Sequence, residues 1–592
     1  MNMENKYYTV EKSQQIILAL LKAYGIKKVV ASAGSTNYTI VASMQHDPWF
    51  EMYSSVDERS AAFIACGLAQ ESGEPVVITC TEATASRNYM PGLTEAYYRK
   101  LPILAITGSH GFDKHYHRIP QSIDRSNTPN DICNLSVTIP LCKCKEDETY
   151  AEIQFNRAIH ALKRHGGGPV HVDLETRYLK DFSIKTLPNV RKIDYYTYED
   201  VLPKLPQGRI GIFCGSHRKF SDKDTAILDA FCESNKAIVF CDHTSNYFGK
   251  YRVNFSLVAS QNKYSSKLKN VDLLIHIGET SGDYFSLGVR GKKVWRVSED
   301  GELRDTFYSL SAVFEMSESS FFNYYTNEAK VDEADANLAI YKAEAKKLEE
   351  SIPELPYSNV WMAQLMASKM PENSIIHFSI LNSLRAWNFF EIPGMNSGVC
   401  NVGGFGIVGS LSTLFGASLA NPNQMCYVMT GELAFFYDMN ALGNRHINRN
   451  IRILLVNNGK GNEFRLYWHP ASMFGEETDK FIGGGGHYGQ KSRSFVKHYA
   501  EDLGFEYLTA SNKDEFLAVY ERFLSPNMTA RPMLFEVFTE TEEENEAVYL
   551  ARNCVEDNGS TSILSQLKND LKNKAKDWLG DDLFEALKNK MK

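Results

Sequence analysis

Two short polar stretches offer chemistry most plainly. In the first, the apolar run Cys426-Tyr427-Val428-Met429 meets Gly431-Glu432-Leu433-Ala434. In the second, Ile451 to Val456 halts at Asn457-Asn458-Gly459-Lys460-Gly461. Strand, tight turn, helix, strand and turn make a βαβ unit, and both turns follow the carboxyl ends of their strands, where open α/β sheets bind ligands. Glu432, the Asn458 amide and the main chain at Lys460 form an all-oxygen donor set. Such a set suits Mg²⁺, a hard octahedral cation that completes its shell with substrate phosphates. Gly431 lets a ligand approach the backbone, and the helix opening behind it favours a diphosphate.

Other groups stand apart from this unit. Val56-Asp57-Glu58-Arg59 heads a helical run that ends at Gly73. Read alone, Glu58 is a first-turn carboxylate favouring the helix dipole. Ser32-Ala33-Gly34-Ser35 is a small-residue turn after the strand Lys28 to Ala31. His110, His115 and His117 share one loop segment and are able to handle protons near neutral pH. Gly483 to Gly486, followed by His487 to Ser492, nearly reads as a phosphate-binding loop. Gln490 interrupts the Gly-Lys pair and no strand runs into the glycines, so a mobile loop over the site is expected. Cys142 and Cys144 lack the second ligand pair of a metal site.

Taken together, these stretches resemble the thiamine diphosphate enzymes. Their signature reads Gly-Asp-Gly, then a spacer, then Asn-Asn. Within that group the chain is most similar to the 2-succinyl-5-enolpyruvyl-6-hydroxy-3-cyclohexene-1-carboxylate (SEPHCHC) synthase family, which typically reads Gly-Asp-Leu-Ser, Tyr-Asp-Leu-Asn-Ala-Leu and Asn-Asn-Asn-Gly-Gly. Gly431-Glu432-Leu433-Ala434, Tyr437-Asp438-Met439-Asn440-Ala441-Leu442 and Asn457-Asn458 stand in the same order. Glu432 replaces the usual Asp and adds a methylene. The resemblance implies thiamine diphosphate and Mg²⁺ as cofactors. It makes Gly431, Glu432, Leu433, Ala434 and Asn458 cofactor-binding, and Glu432, Asn458 and Lys460 metal-binding. It makes Glu58 the catalytic carboxyl that shares a proton with the aminopyrimidine ring, and Ile407 the apolar wedge that bends the coenzyme.

Thr81 to Tyr89 follows the family's Thr-Ser-Gly-Thr…Asn run, with Glu82-Ala83 in place of Ser-Gly. By the same resemblance Ser35, His110, Gln121, Ser383 and Arg385 face substrate. The family's acceptor-binding arginines correspond here to Thr36, His110, Val402 and Trp387, which implies a less anionic acceptor, with Arg385 a partial substitute. The implied reaction is decarboxylation of a 2-oxo acid with transfer of the product fragment to an acceptor. Alternatives are SEPHCHC synthase proper, using 2-oxoglutarate and isochorismate, a simple 2-oxo acid decarboxylase, or a catalytically degenerate relative. Subunits of this family share their sites, so a homodimer or homotetramer is expected.

The elements that must position these residues alternate β and α along the chain, the pattern of doubly wound parallel sheets. Three such α/β domains are expected: residues 8–185 for the pyrimidine, 200–345 as a central Rossmann-like domain without a dinucleotide fingerprint, and 355–545 for the diphosphate. Residues 546–592 read as a helical tail. In detail, Gly167 to Leu174 is expected to close the first sheet, and the stretch Gly403 to Ser410 to start a helix. The 592 residues exceed one core, and 43% apolar content supports several. A net charge of −8 argues against nucleic acid as a partner. No apolar run is long enough for a bilayer and no secretory leader is evident, so a cytoplasmic protein with reduced cysteines is expected.

Overall fold

The computed structural model describes residues 7–125, 127–326 and 333–555. The expected tail therefore lies mostly outside the described residues. Its visible start belongs to the helix Thr541–Arg552. The chain divides into two compact units, one made chiefly of residues 1–201 and the other of residues 202–300 and 316–592.

The first unit holds a six-stranded parallel sheet. Its strands are β1 (Lys28–Ala31), β2 (Glu51–Ser54), β3 (Val76–Cys80), β4 (Ile103–Ser109), β5 (Leu135–Ile139) and β6 (Val170–Glu175), in the order β2-β1-β3-β4-β6-β5. β3 and β4 are buried at every position, as central parallel strands must be. β6 does not close the sheet as expected. β5 pairs outside it, from Leu135↔Val170 to Ile139↔Leu174. Its sequence Leu-Ser-Val-Thr-Ile alternates apolar and polar, the signature of a half-covered edge. β7 (Asp194–Tyr196) belongs to the same unit.

In the second unit, β8 (Ile210–Cys214), β9 (Ile238–Cys241), β10 (Arg252–Asn254), β11 (Asn270–Ile277) and β12 (Arg290–Ser298) pair in parallel in the order β10-β9-β8-β11-β12. β13 (Leu310–Glu315) returns to the first unit and pairs with β7, also in parallel. The remaining strands are β14 (Ile375–Phe378), β15 (Ser397–Val399), β16 (Cys426–Gly431), β17 (Ile451–Asn457), β18 (Glu506–Ala510) and β19 (Met533–Phe538). They form a six-stranded parallel sheet ordered β15-β14-β16-β17-β19-β18. The first and last sheets thus share one winding, and the fold is α/β with parallel sheets throughout.

Local sequence explains the helix ends that matter. Helix Glu58–Ser72 is capped by the Asp57 side chain, which accepts from the Arg59 N–H, and it stops at Gly73 with φ +67°. The helix expected from the stretch Gly403 to Ser410 begins only at its last residue. The stretch stays irregular until Gly409, in the left-handed region at φ +80°, hands over to helix Ser410–Ala420. Glycines at 403, 404 and 406 have no side chains with which to hold a first turn. Among the described residues, no helix is long and apolar enough to cross a membrane.

Candidate active site

Every candidate residue of the first unit sits beyond the carboxyl end of a strand. Ser35 follows β1, Glu58 follows β2, Glu82 follows β3, His110 follows β4 and Tyr178 follows β6. Glu58 opens helix Glu58–Ser72, where its Oε2 accepts from Asn88 Nδ2 at 3.1 Å. The surface beside it is apolar: Val56, Phe63 and Ile64 are 84%, 46% and 45% exposed.

A tighter cluster forms where Glu82 replaces the resemblance's serine. The Glu82 carboxylate is buried and accepts from the His110 backbone N–H at 3.2 Å through Oε2. Its Oε1 meets His110 Nδ1, and His110 Nε2 meets the Tyr178 hydroxyl. The nearby Ser35 hydroxyl partly offsets the rise that burial imposes on the phenol. An ionised Glu82 can only accept, so Nδ1 carries the imidazole proton and Nε2 accepts from Tyr178. Sequence reasoning pointed to Ser35 and His110 but missed Glu82 and Tyr178. The signal was the acidic residue in a run that normally holds Ser-Gly. Ala83 keeps φ +59°, ψ −131°, a conformation natural to the glycine it replaces and costly for alanine. Gln121 stands apart from this cluster, exposed and with φ +70°.

In the second unit, β16 and β17 pair through Gly431↔Val456, so Glu432 and Asn458 leave adjacent strands side by side. Asn457 is spent on structure: its Nδ2 donates to Glu536 Oε1 at 2.7 Å, and its Oδ1 accepts from the Gly459 N–H at 3.1 Å. Asn458 Oδ1 and Glu432 Oε1 are both buried without a hydrogen-bond partner among the described residues. Burial pushes the Glu432 carboxyl up to about 8, opposed by backbone N–H groups of Glu432, Asn458 and Lys460 and reinforced by Glu544. Such orphaned oxygens are costly unless something binds them. A cation such as Mg²⁺ fits them in charge and chemistry. Among the described residues no trio of His, Cys, Asp or Glu converges as a metal site, so any cation here rests on one carboxylate plus amide and main-chain oxygens.

The Lys460 ammonium turns away to Asp479 at 2.7 Å, leaving only its main chain for the site. A Cβ on Gly431 would meet nothing within 4 Å, so open space adjoins the backbone there. Ala434 is buried, and Leu433 packs against Gly461 and Gly484. The glycine stretch is tied to the second turn, with the Gly461 N–H donating to the Gly483 carbonyl at 2.6 Å. Ile407 lies half-buried in the irregular segment after β15.

Ser383 and Arg385 occupy helix Asn382–Trp387 and are buried. Arg385 is not a free cation. Its Nη1 and Nη2 bind Glu463 at 2.7 and 3.2 Å, and its guanidinium lies over Phe285 and Trp468. Trp387 is fully buried with its indole on Asn359, Val402 is buried, and Thr36 is buried against Thr81. None of the positions where the resemblance expects a cation therefore presents one.

These halves define a class before a particular likeness. Residues 11–128 match the family described as thiamine pyrophosphate enzyme, N-terminal TPP binding domain. The expected resemblance to thiamine diphosphate enzymes holds. More particularly, the chain is 29% identical to the SEPHCHC synthase of Bacteroides thetaiotaomicron, over 90% of this chain and 96% of that protein. It is 28% identical to the synthase of Phocaeicola vulgatus, over 91% and 97%, and 28% identical to that of Flavobacterium psychrophilum, over 89% and 96%. A thiamine diphosphate-dependent 4-hydroxybenzoylformate decarboxylase from Rhodococcus jostii RHA1 aligns at 18% identity with a TM-score of 0.38, covering 89% of this chain and 99% of that one.

Proposed function

We propose that the protein is a thiamine diphosphate- and Mg²⁺-dependent enzyme that decarboxylates a 2-oxo acid and transfers the remaining fragment to an acceptor. The observation that carries this reading is the pair of orphaned buried oxygens, Glu432 Oε1 and Asn458 Oδ1, at the ends of β16 and β17. Glu432, Asn458 and the Lys460 main chain would hold the cation. Gly431, Leu433 and Ala434 would line the diphosphate, Ile407 would pack under the coenzyme, and Glu58 would hold a proton against its pyrimidine ring. Bound thiamine diphosphate supplies a ring carbanion, the nucleophile that a 2-oxo acid needs in order to lose CO₂.

The Glu58 half of one copy is taken to meet the Glu432 half of another, in a homodimer or a pair of dimers. The exposed apolar group Val56, Phe63 and Ile64 beside Glu58 supports burial against a second copy. A cytoplasmic location accords with the cysteines, all free, most of them buried.

A second reading is SEPHCHC synthase proper, acting on 2-oxoglutarate and isochorismate, favoured by the names of the relatives. Against it, Arg385 is neutralised by Glu463, and Thr36, Val402 and Trp387 bring no charge to a polyanion. The deciding assay incubates purified protein with thiamine diphosphate, Mg²⁺ and a panel of 2-oxo acids and measures CO₂. Release from any donor supports the first reading, and release from none overturns it. Product from 2-oxoglutarate with isochorismate would favour the second.

A further inference from the structure

We propose that Glu82, His110, Tyr178 and Ser35 form a proton relay that protonates the oxygen of a carbonyl acceptor, so that the acceptor is an uncharged aldehyde or ketone. The proposal rests on the decarboxylase and transferase reading and names the acceptor's chemistry within it.

Side chains from three strand ends make one continuous path, Glu82 to His110 to Tyr178, with Ser35 from a fourth near its outer end. A buried carboxylate takes both the backbone N–H and the Nδ1 of one histidine. The other ring nitrogen meets a phenol whose pKa the neighbouring Ser35 hydroxyl lowers against the rise from burial. Ser35 is exposed, His110 and Tyr178 are partly covered, and Glu82 is buried, so the path runs from solvent-facing hydroxyl to buried charge. His110 and Tyr178 pack with ring centroids 5.0 Å apart. Burial, and after it Lys114, which is paired with Asp113, press the imidazole toward its neutral form. Glu175, beside Gly111, spends its carboxylate on the Leu141 N–H.

The overall chemistry requires such a path. Joining a 2-oxo acid anion to a carbonyl compound gives a hydroxyketone and CO₂ and consumes one proton. The electron pair freed as CO₂ leaves forms the new C–C bond at the acceptor carbonyl carbon. That carbon's π pair moves to oxygen, which takes the Tyr178 proton. His110, neutral with Nδ1–H on Glu82, takes a proton from solvent at Nε2 and passes it to the phenol oxygen, ending neutral again. The exposed end of the relay consists of hydroxyls, which exchange protons with a neutral oxygen. A fixed anionic substituent would call instead for Arg or Lys.

The test has two arms on the full-length protein. In the first, histidine side chains are ¹⁵N-labelled and His110 is assigned by its loss in His110→Asn. The wild type is expected to show a protonated Nδ1, and Glu82→Gln, which keeps shape but not charge, to lower the His110 titration midpoint by roughly one pH unit or more. A protonated Nε2 in the neutral form, or a midpoint unmoved by Glu82→Gln, overturns the relay whether or not the protein is active. In the second arm, pyruvate or 2-oxoglutarate is the donor and acetaldehyde the acceptor, and ligated product is measured per CO₂ released. Tyr178→Phe is expected to lower that ratio roughly 10²-fold, with the acceptor KM changing far less. An unchanged ratio overturns the relay alone. A wild type that releases no CO₂ overturns the functional reading and, with it, the relay's catalytic assignment.

Discussion

Glu432 and Asn458 leave neighbouring parallel strands one and two residues beyond the paired Gly431 and Val456, and each buries a side-chain oxygen that finds no hydrogen-bond partner among the described residues. The backbone N–H of Asn458 also leans on the Glu432 carboxyl. Replacing Glu432 by Gln removes the only charge from this donor set. Mg²⁺-dependent binding of thiamine diphosphate, measured by calorimetric titration, should weaken by at least roughly 10–100-fold, the range already seen when supporting groups around a metal are lost. Equal affinity in wild type and variant would place the cation elsewhere.

The apolar surface next to Glu58 leads to a separate expectation. Ile64 is 45% exposed and Phe63 46% exposed on one helix. Ile64→Asp puts a charge into this patch, which a covered interface cannot solvate. Sedimentation velocity should show the variant at a smaller assembly state than the wild type, with circular dichroism unchanged. An identical sedimentation profile would free this face from any role in self-association.

The salt bridge between Arg385 and Glu463 is nearly enclosed, with side-chain exposures of 8% and 16%. Glu463→Gln leaves the guanidinium buried and without its counter-charge, held by the Asn382 amide oxygen at 2.8 Å and by the Phe285 and Trp468 rings. Breaking one side of such a pair costs about 3–5 kcal/mol. Urea denaturation should register a loss of that order, whereas a change under about 1 kcal/mol would mean that Asn382, the two rings and solvent suffice.

His171 on β6 carries a pH dependence. It lies between the Thr107 and Ser136 hydroxyls, and burial, then Arg125, lowers its pKa to about 3. The folded state keeps the ring neutral while the unfolded chain protonates it near 6.5. The stabilising contribution is therefore complete above about 6.5 and is lost as pH falls toward 3. Below 6.5 this one group contributes a slope of about 1.4 kcal/mol per pH unit. Unfolding free energies at pH 7, 6 and 5 should converge between wild type and His171→Gln as pH drops. Parallel curves would contradict the assignment.

What the linear chain determined was what adjacent residues decide between themselves. Apolar runs ending in glycine or asparagine placed β16 and β17 to within a residue or two, and the strand-end rule put Glu432 and Asn458 at carboxyl ends, whereas Glu58 was marked out only by the family resemblance. Strand β5 escaped, because a half-polar edge strand lacks the continuous apolar run of a buried one, and the helix expected from Gly403 to Ser410 begins only at Ser410, because glycines leave a turn nothing to pack. Tertiary structure alone decided partnership. Asn457 and Asn458 are the same residue type side by side, yet one is consumed by Glu536 and the other is left open. Arg385 looked available until the fold set Glu463 against it, and Glu82 looked like a defect until His110 and Tyr178 arrived from other strands. Charge pairing and hydrogen bonding act over a few ångströms in space, and residues tens of positions apart reach that distance only when the sheet brings their strand ends together.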